Sequence, residues 1–212
     1  MARNTGASCR LCRREGMKLF LKGSRCETGK CGFVRRPNPP GYTRQRQRRR
    51  RARQSDYGVR LREKQKVKRF YGVLERQFRR HFREAGRQSG NTGDNLLVLL
   101  ERRLDNVLYR SGLAQSRAQG RVIIAHGHIC LNGRRAHAPS QLVSPGDRIT
   151  LAPRERSQSL VAANRAATQD RQPPSWLALS AEPLEARMLT MPTRDEVELP
   201  VQVELIVEFL AR

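Results

Sequence analysis

Residues 93–135 read GDNLLVLLERRLDNVLYRSGLAQSRAQGRVIIAHGHICLNGRR, and their periodicity sets the architecture expected for the chain. Leu96, Leu97, Leu100, Leu104, Val107 and Leu108 recur at the intervals that line one face of a helix. Asp94 or Asn95 is placed to cap that helix and Gly112 to stop it. Ser116 opens a further helix, SRAQGRVIIAHG (116–127), which Gly127 closes. Ile129–Leu131, the Asn132–Gly133 dipeptide and Arg134–Arg135 then read as a hairpin, because the tight turn needs a positive φ that Asn and Gly accept. A second turn, Ser144–Pro145–Gly146–Asp147, leads into a strand at Arg148–Leu151.

On the amino-terminal side, QSGNTG (88–93) is a flexible joint. Before it, Val67, Phe70, Tyr71, Leu74, Phe78 and Phe82 keep helical spacing within one helix from Val59 to about Ala85, started by Ser55 or Asp56 and ended by Gly86. Its other face carries Arg62, Lys64, Lys66, Arg69, Arg76, Arg79, Arg80 and Arg83. Like charges one turn apart oppose a lone helix, so a counter-charged partner is implied. RQRQRRRRAR (44–53) reads as an arm that orders against phosphates, with RRPNPPGY (35–42) as a stiff connector before it. On the carboxyl side, 152–172 is polar and reads as loop or irregular helix. VQVELIVEFL (201–210) fits either a strand, by alternation, or a helical stripe through Val203, Ile206, Val207 and Leu210.

Charge narrows the function. Over 212 residues, 43 Lys and Arg oppose 19 Asp and Glu, a formal net charge of +24, and 37 of the cations are Arg. Residues 1–88 carry 28 basic and 6 acidic side chains, whereas 182–212 carry 3 and 7. Such an excess excludes an ordinary metabolic enzyme and points to a polyanion, and arginine's planar fork suits phosphate and base stacking. No apolar run approaches the roughly 20 residues that cross a bilayer. Met1–Ala2–Arg3 does not begin a secretory signal, so five cysteines are expected to meet a reducing cytosol.

Cys9, Cys12, Cys26 and Cys31 are spaced C-x2-C-x13-C-x4-C, two short pairs that can each supply two corners of a tetrahedron. The segment has too little apolar content to fold alone, so a metal is expected to supply its stability. Zinc is the expected cofactor, with a 4Fe-4S cluster in the same four thiols as the alternative. A closed four-thiolate site leaves no open position for catalysis, and Cys130 reads as a core residue. His81, His126, His128 and His137 show no metal spacing with carboxylates. His126 and His128 suit a phosphate contact and plain solvent exposure equally.

Residues 93–135, with PGDRI (145–149), closely resemble the RNA-binding module of the family of small-subunit ribosomal protein number four. SDYGVRLREKQKVKRFYGVLERQF (55–78), the opening MARNTGASCRLCRREG and the closing MPTRDEVELPVQVELIVEFLAR resemble the same family in its bacterial, metal-binding form. The resemblance implies an α+β fold: a mainly helical domain, an inserted RNA-binding module of two helices with short antiparallel strands, and an N-terminal four-cysteine metal subdomain. The expected parts are 1–43 (metal subdomain and connector), 44–92 (arm and basic helix), 93–151 (inserted module) and 152–212 (return segment and acidic end). It favours a helix over 202–210.

The resemblance further implies a non-enzymatic constituent of the cytoplasmic ribosome that binds the 5′ region of small-subunit (16S) rRNA early in assembly. It places the chain beside the channel where mRNA enters, next to ribosomal protein number five, with an influence on translational accuracy. No membrane and no small-molecule substrate are expected. Double-stranded RNA is read by shape and phosphate path, because its deep groove hides the bases. The RNA-binding residues expected are Arg44, Arg46, Arg48, Arg49, Arg50, Arg51 and Arg53 on the arm. Arg62, Lys64, Lys66, Arg69, Arg76, Arg80 and Arg83 follow on the basic helix. Ser116, Arg117, Gln119 and Arg121 stand at a helix start that favours phosphate, with His126, His128, Asn132, Arg134 and Arg135 around the hairpin. Glu196, Glu198, Glu204 and Glu208 are expected to face a basic protein neighbour. The rival readings are an RNA-modifying enzyme, a zinc-dependent DNA-binding regulator and a free RNA chaperone. The first lacks any nucleotide-binding loop or paired acid and base; the others are separated by affinity for duplex DNA and for single strands.

Overall fold

A computed structural model describes residues 4–41, 55–180 and 184–211. Two compact units emerge: the chain up to Leu96 together with Leu199–Arg212, and Leu97–Glu198.

In the first unit, α1 (Ser8–Glu15) ends at Gly16, whose φ of 71° lets the chain turn back. A 3-10 turn (Gly23–Cys26) and the short α2 (Gly32–Arg35) follow. The basic helix begins as expected, with Ser55 Oγ accepting from the Gly58 N–H at 3.2 Å. It is not continuous. α3 (Asp56–Phe70) stops at Tyr71, Gly72 takes φ 65°, and α4 (Glu75–Ala85) starts anew. The apolar stripe conceals this break because Val67, Phe70, Tyr71, Val73 and Phe78 are all buried on both sides of it. Glu75 opens α4 and gathers Lys64 at 2.8 Å, Lys68 at 3.1 Å and Arg79 at 3.2 Å.

α5 (Thr92–Glu101) starts earlier than expected. Its cap is Asn91, whose Oδ1 accepts from the Gly93 N–H at 2.7 Å and the Asp94 N–H at 3.4 Å, rather than Asp94 or Asn95. Residues 202–210 choose the helix: α9 (Val203–Leu210) lies along α3. The Tyr57 and Phe209 rings meet at 5.3 Å, Lys64 Nζ stands 4.7 Å over Phe209, and Arg60 Nε pairs with Glu208 at 2.7 Å. A Cβ at Gly93 would lie 2.4 Å from Val203 Cγ1, so only glycine admits α9 there.

The second unit continues with α6 (Leu104–Arg110), α7 (Arg117–Ala125), β1 (Ile129–Leu131), β2 (Arg134–Arg135) and β3 (Arg148–Leu151). α8 (Glu155–Ala166), β4 (Leu177–Ser180) and β5 (Glu185–Met188) complete it. One helix through 111 was the expectation, but α5 and α6 are separate. The N–H groups of Leu104 and Asp105 donate to Gln141 O (2.9 Å) and Pro139 O (3.1 Å), which takes them out of the helical ladder. Arg103 at the break is fully buried and forks onto Asp105, Nε at 3.1 Å and Nη2 at 2.7 Å.

Of the two readings of residues 152–172, loop or irregular helix, the helix holds over α8 (Glu155–Ala166). Of its apolar residues Val161 is buried while Leu160 is exposed, so little periodicity marks it. The sheet is antiparallel, in the order β2-β1-β3-β5-β4. The boundary expected at 151 therefore falls inside a sheet that β4 and β5 extend, and the unit runs on to Glu198. Leu104, Val107, Leu108, Ile123, Ile124, Ile129, Ile149, Val161, Trp176, Ala186 and Met188 form its core. The hairpin turn is as expected, with Asn132 at φ 50° and Gly133 at φ 78°.

Candidate nucleic-acid interface and thiol cluster

The basic residues sort into those the fold neutralises and those it leaves to solvent. The arm residues Arg44, Arg46, Arg48, Arg49, Arg50, Arg51 and Arg53 lie outside the described residues. On α3 the expected RNA face turns inward. Arg62 and Arg69 both pair with Glu15, whose side chain is wholly buried, and Lys66 pairs with Glu63. Lys64 is buried against Glu75. Burial pushes the Glu15 carboxyl above its ordinary range, against the pull of Arg69 and Arg62. On α4, Arg76, Arg80 and Arg83 are exposed, and none pairs with an acid among the described residues.

At the start of α7, Ser116 is the cap and its Oγ accepts from the Gln119 N–H at 3.2 Å. Arg117 and Arg121 do not reach out to solvent; they are 7% and 8% exposed. Arg117 Nε donates to Asn106 Oδ1 at 2.7 Å and its guanidinium lies 4.3 Å from the Tyr109 ring. Arg171 stacks on Tyr109 too, at 4.2 Å, and donates to the carbonyls of Tyr109 and Ala114. Gln119 is held by Gln115 N–H (2.7 Å) and Asn164 Oδ1 (2.8 Å). These side chains build the surface behind the helix start rather than forming it. A helix so pinned needs close packing, and a Cβ on Gly120 would fall 2.9 Å from Asp105 O.

Around the hairpin, His126 is exposed at the end of α7. His128 Nδ1 meets Ser157 Oγ at 2.9 Å. Burial, with His126, Arg156 and Arg154 nearby, pushes the His128 imidazole below its ordinary value. Asn132 ties the turn to β3: its amide donates to Asp147 Oδ1 (2.8 Å) and its Oδ1 accepts from the Arg148 N–H (2.9 Å). Arg134 and Arg135 are exposed and border a cleft of ≈ 430 Å³ with Leu131, Asn132, Ala136 and Gln141.

The acidic residues expected to face a partner are mostly used at home. Glu196 accepts from Ser175 and Thr193, and those bonds outweigh burial and hold its carboxyl below the ordinary range. Glu198 pairs with Arg110 and Glu208 with Arg60. Glu204 is exposed.

The four thiols of the amino-terminal segment come from α1, the 3-10 turn and the residue before α2, and all are free. Among the described residues no group of three or more His, Cys, Asp or Glu is set to hold a metal ion, so the expected metal subdomain stands as a thiol cluster. Its chemistry fits a cation. Backbone N–H groups point at sulfur: Lys22 to Cys26 Sγ at 3.3 Å, Leu19 to Cys12, and Val34 and Phe33 to Cys31. A Cβ on Gly32 would lie 3.0 Å from Cys9 Sγ. Burial pushes the Cys12 and Cys26 thiols up, and the other cysteines push the same way. Burial works to raise Cys31 too, but the N–H groups, Lys18 and Arg25 leave it lowered.

A helix carrying exposed arginine in the first unit, and a basic hairpin on a small antiparallel sheet in the second, define a nucleic-acid-binding protein. No helix among the described residues is long and apolar enough to cross a membrane. Residues 3–101 match the Ribosomal protein S4/S9 N-terminal domain family and 102–149 the S4 domain family. Small ribosomal subunit protein uS4 of Thermodesulfovibrio yellowstonii is 50% identical over 212 residues, all of both chains. The uS4 proteins of Pelotomaculum thermopropionicum (51%) and Thermus thermophilus (50%) are likewise covered in full. The chain belongs to the uS4 family of small ribosomal subunit proteins.

Proposed function

We propose that this protein is a structural, non-enzymatic constituent of the cytoplasmic small ribosomal subunit that binds the 5′ region of 16S rRNA as an early assembly protein. The observation that carries this is the set of exposed arginines on α4 and β2 that pair with no acid among the described residues. Each such guanidinium in contact with phosphate releases counterions, which makes binding steeply salt-dependent. The full-length likeness to uS4 proteins supports the ribosomal setting. By the same reading the chain lies beside the channel where mRNA enters, against ribosomal protein number five, and influences accuracy. Exposed Glu204 is the acid left for a basic neighbour. Chemical footprinting of small-subunit RNA with the purified protein tests this. Protection confined to the 5′ region is expected, and uniform weak protection would overturn it.

Cys9, Cys12, Cys26 and Cys31 would hold one zinc ion, or a 4Fe-4S cluster in its place. The metal would bind the thiolates together and so stabilise a segment with little apolar core. Metal analysis of the purified protein, with its absorption spectrum, separates the two.

A further inference from the structure

Across the sheet, Arg148 of β3 stands directly opposite Arg187 of β5. Residues two apart on a strand share a face, so Thr150, Glu185 and Ser180 stand on the side of this pair while Ile149, Ala186 and Met188 face the core. Like charges directly opposite one another weaken a sheet, because their Cβ atoms are held about 5 Å apart. The fold does little to relieve the pair. Arg148 has a side chain 61% exposed and its acid, Glu185, is at 3.8 Å. The Arg187 guanidinium is exposed and makes no hydrogen bond or ion pair with any described residue. Its neighbour on β4 is Ala178, exposed and too small to cover it.

The pair also has a defined setting. Arg148 N–H is bonded to Asn132 Oδ1, and Cys130 stands opposite both Thr150 and Arg135, so Arg135 shares the face of the pair whereas Arg134, in line with Leu131 and Ile149, stands on the other. Arg148 lies within the part matching the S4 domain, 102–149, whereas Arg187 comes from a strand beyond it. We propose that this outer sheet face, centred on Arg148 and Arg187, is a second phosphate-binding surface for folded RNA, created by adding β4 and β5 to the module. Planar forks set side by side grip one phosphate or two successive ones, and the bound anion removes the repulsion that the free protein bears. This rests on the RNA-binding reading above.

The test uses the full-length protein with the variants Arg148→Ala, Arg187→Ala and the double substitution. Each is titrated against a transcript of the 5′ region of small-subunit RNA over a range of salt, and its free-state thermal midpoint is measured. Each single variant is expected to lower the salt slope by about 0.7–0.9 and to bind about 5-fold more weakly at 0.1 M salt than the wild type. The free variants should melt at the wild-type temperature or above it, since repulsion has been removed. Wild-type binding with variants that keep both affinity and slope overturns the proposal and leaves the face to an acidic protein. Weaker binding with an unchanged slope and a lower melting temperature also overturns it, as a merely structural effect. A wild type that does not bind the transcript overturns the RNA-binding reading itself, and this face with it.

Discussion

Asn106 is a single buried amide that joins two charged side chains, Glu101 and Arg117. It is 1% exposed; its Nδ2 donates to the Glu101 carboxylate at 2.8 Å and to the Glu101 carbonyl at 2.9 Å. Its Oδ1 takes Arg117 Nε at 2.7 Å. Hydrogen bonds to charged groups contribute about 1.5–3 kcal/mol each, and a neutral one about 0.5–1.5. The three share partners and are not additive, so Asn106→Ala should cost about 3–5 kcal/mol, the range for stripping a partner from a buried charge. That is a large share of the roughly 5–15 kcal/mol that holds a domain together. The protein's single tryptophan, Trp176, is fully buried in the same core and reports on this unit by fluorescence. With a urea slope of about 1–3 kcal/mol per molar, the midpoint should fall by at least about 1 M. A midpoint within a few tenths of the wild type would refute the claim that this amide holds the network.

Three further outcomes are expected. Gly120→Val should cost about 1–3 kcal/mol by forcing α7 from Asp105, and should weaken RNA binding; an unchanged Trp176 unfolding curve would contradict the close crossing. Partial burial works to raise the Glu75 carboxyl, but hydrogen bonds from Lys64, Lys68 and Arg79 hold it at about 2 against an ordinary 4.5. Its folded value is the lower one, so its stabilisation is present above pH 4.5 and lost as pH falls towards 2. Glu75→Gln should therefore lower the melting temperature at neutral pH and flatten its decline in acid, as followed by circular dichroism. Cys31→Ser should abolish stoichiometric zinc uptake and broaden the NMR signals of residues 4–41, while Trp176 fluorescence keeps its native unfolding midpoint.

What the sequence revealed follows the range of the forces involved. Asn132–Gly133 was legible because a tight turn is chosen by its own two residues. Ser55 and Ser116 announced their helices for the same reason. The break at Gly72 was not, since the apolar stripe keeps phase across it, nor was the one at Arg103, where a buried ion pair replaces the apolar pattern. α8 was legible only as one of two alternatives, loop or irregular helix, because its buried face holds Ser157 and Asn164 as well as Val161. Of the arginines the sequence assigns to RNA, those of α4 and β2 are exposed, whereas Arg117 and Arg121 are packed against the fold. A charge count cannot tell a solvated arginine from one stacked on Tyr109. The pairing of Arg148 with Arg187 lay beyond reach too, because it depends on a register between strands far apart in the chain.

The first unit is made of two pieces of chain, residues up to Leu96 and those from Leu199 onward, whereas the second is one continuous run. Synthesis proceeds from the amino end, so the continuous unit can close as soon as Glu198 has left the exit tunnel. The Phe209 ring and Glu208 that complete the α3 surface come last. The two pieces of the first unit are thus separated by the whole of the second, so its arginine-rich part is synthesised well before the α9 that packs on α3.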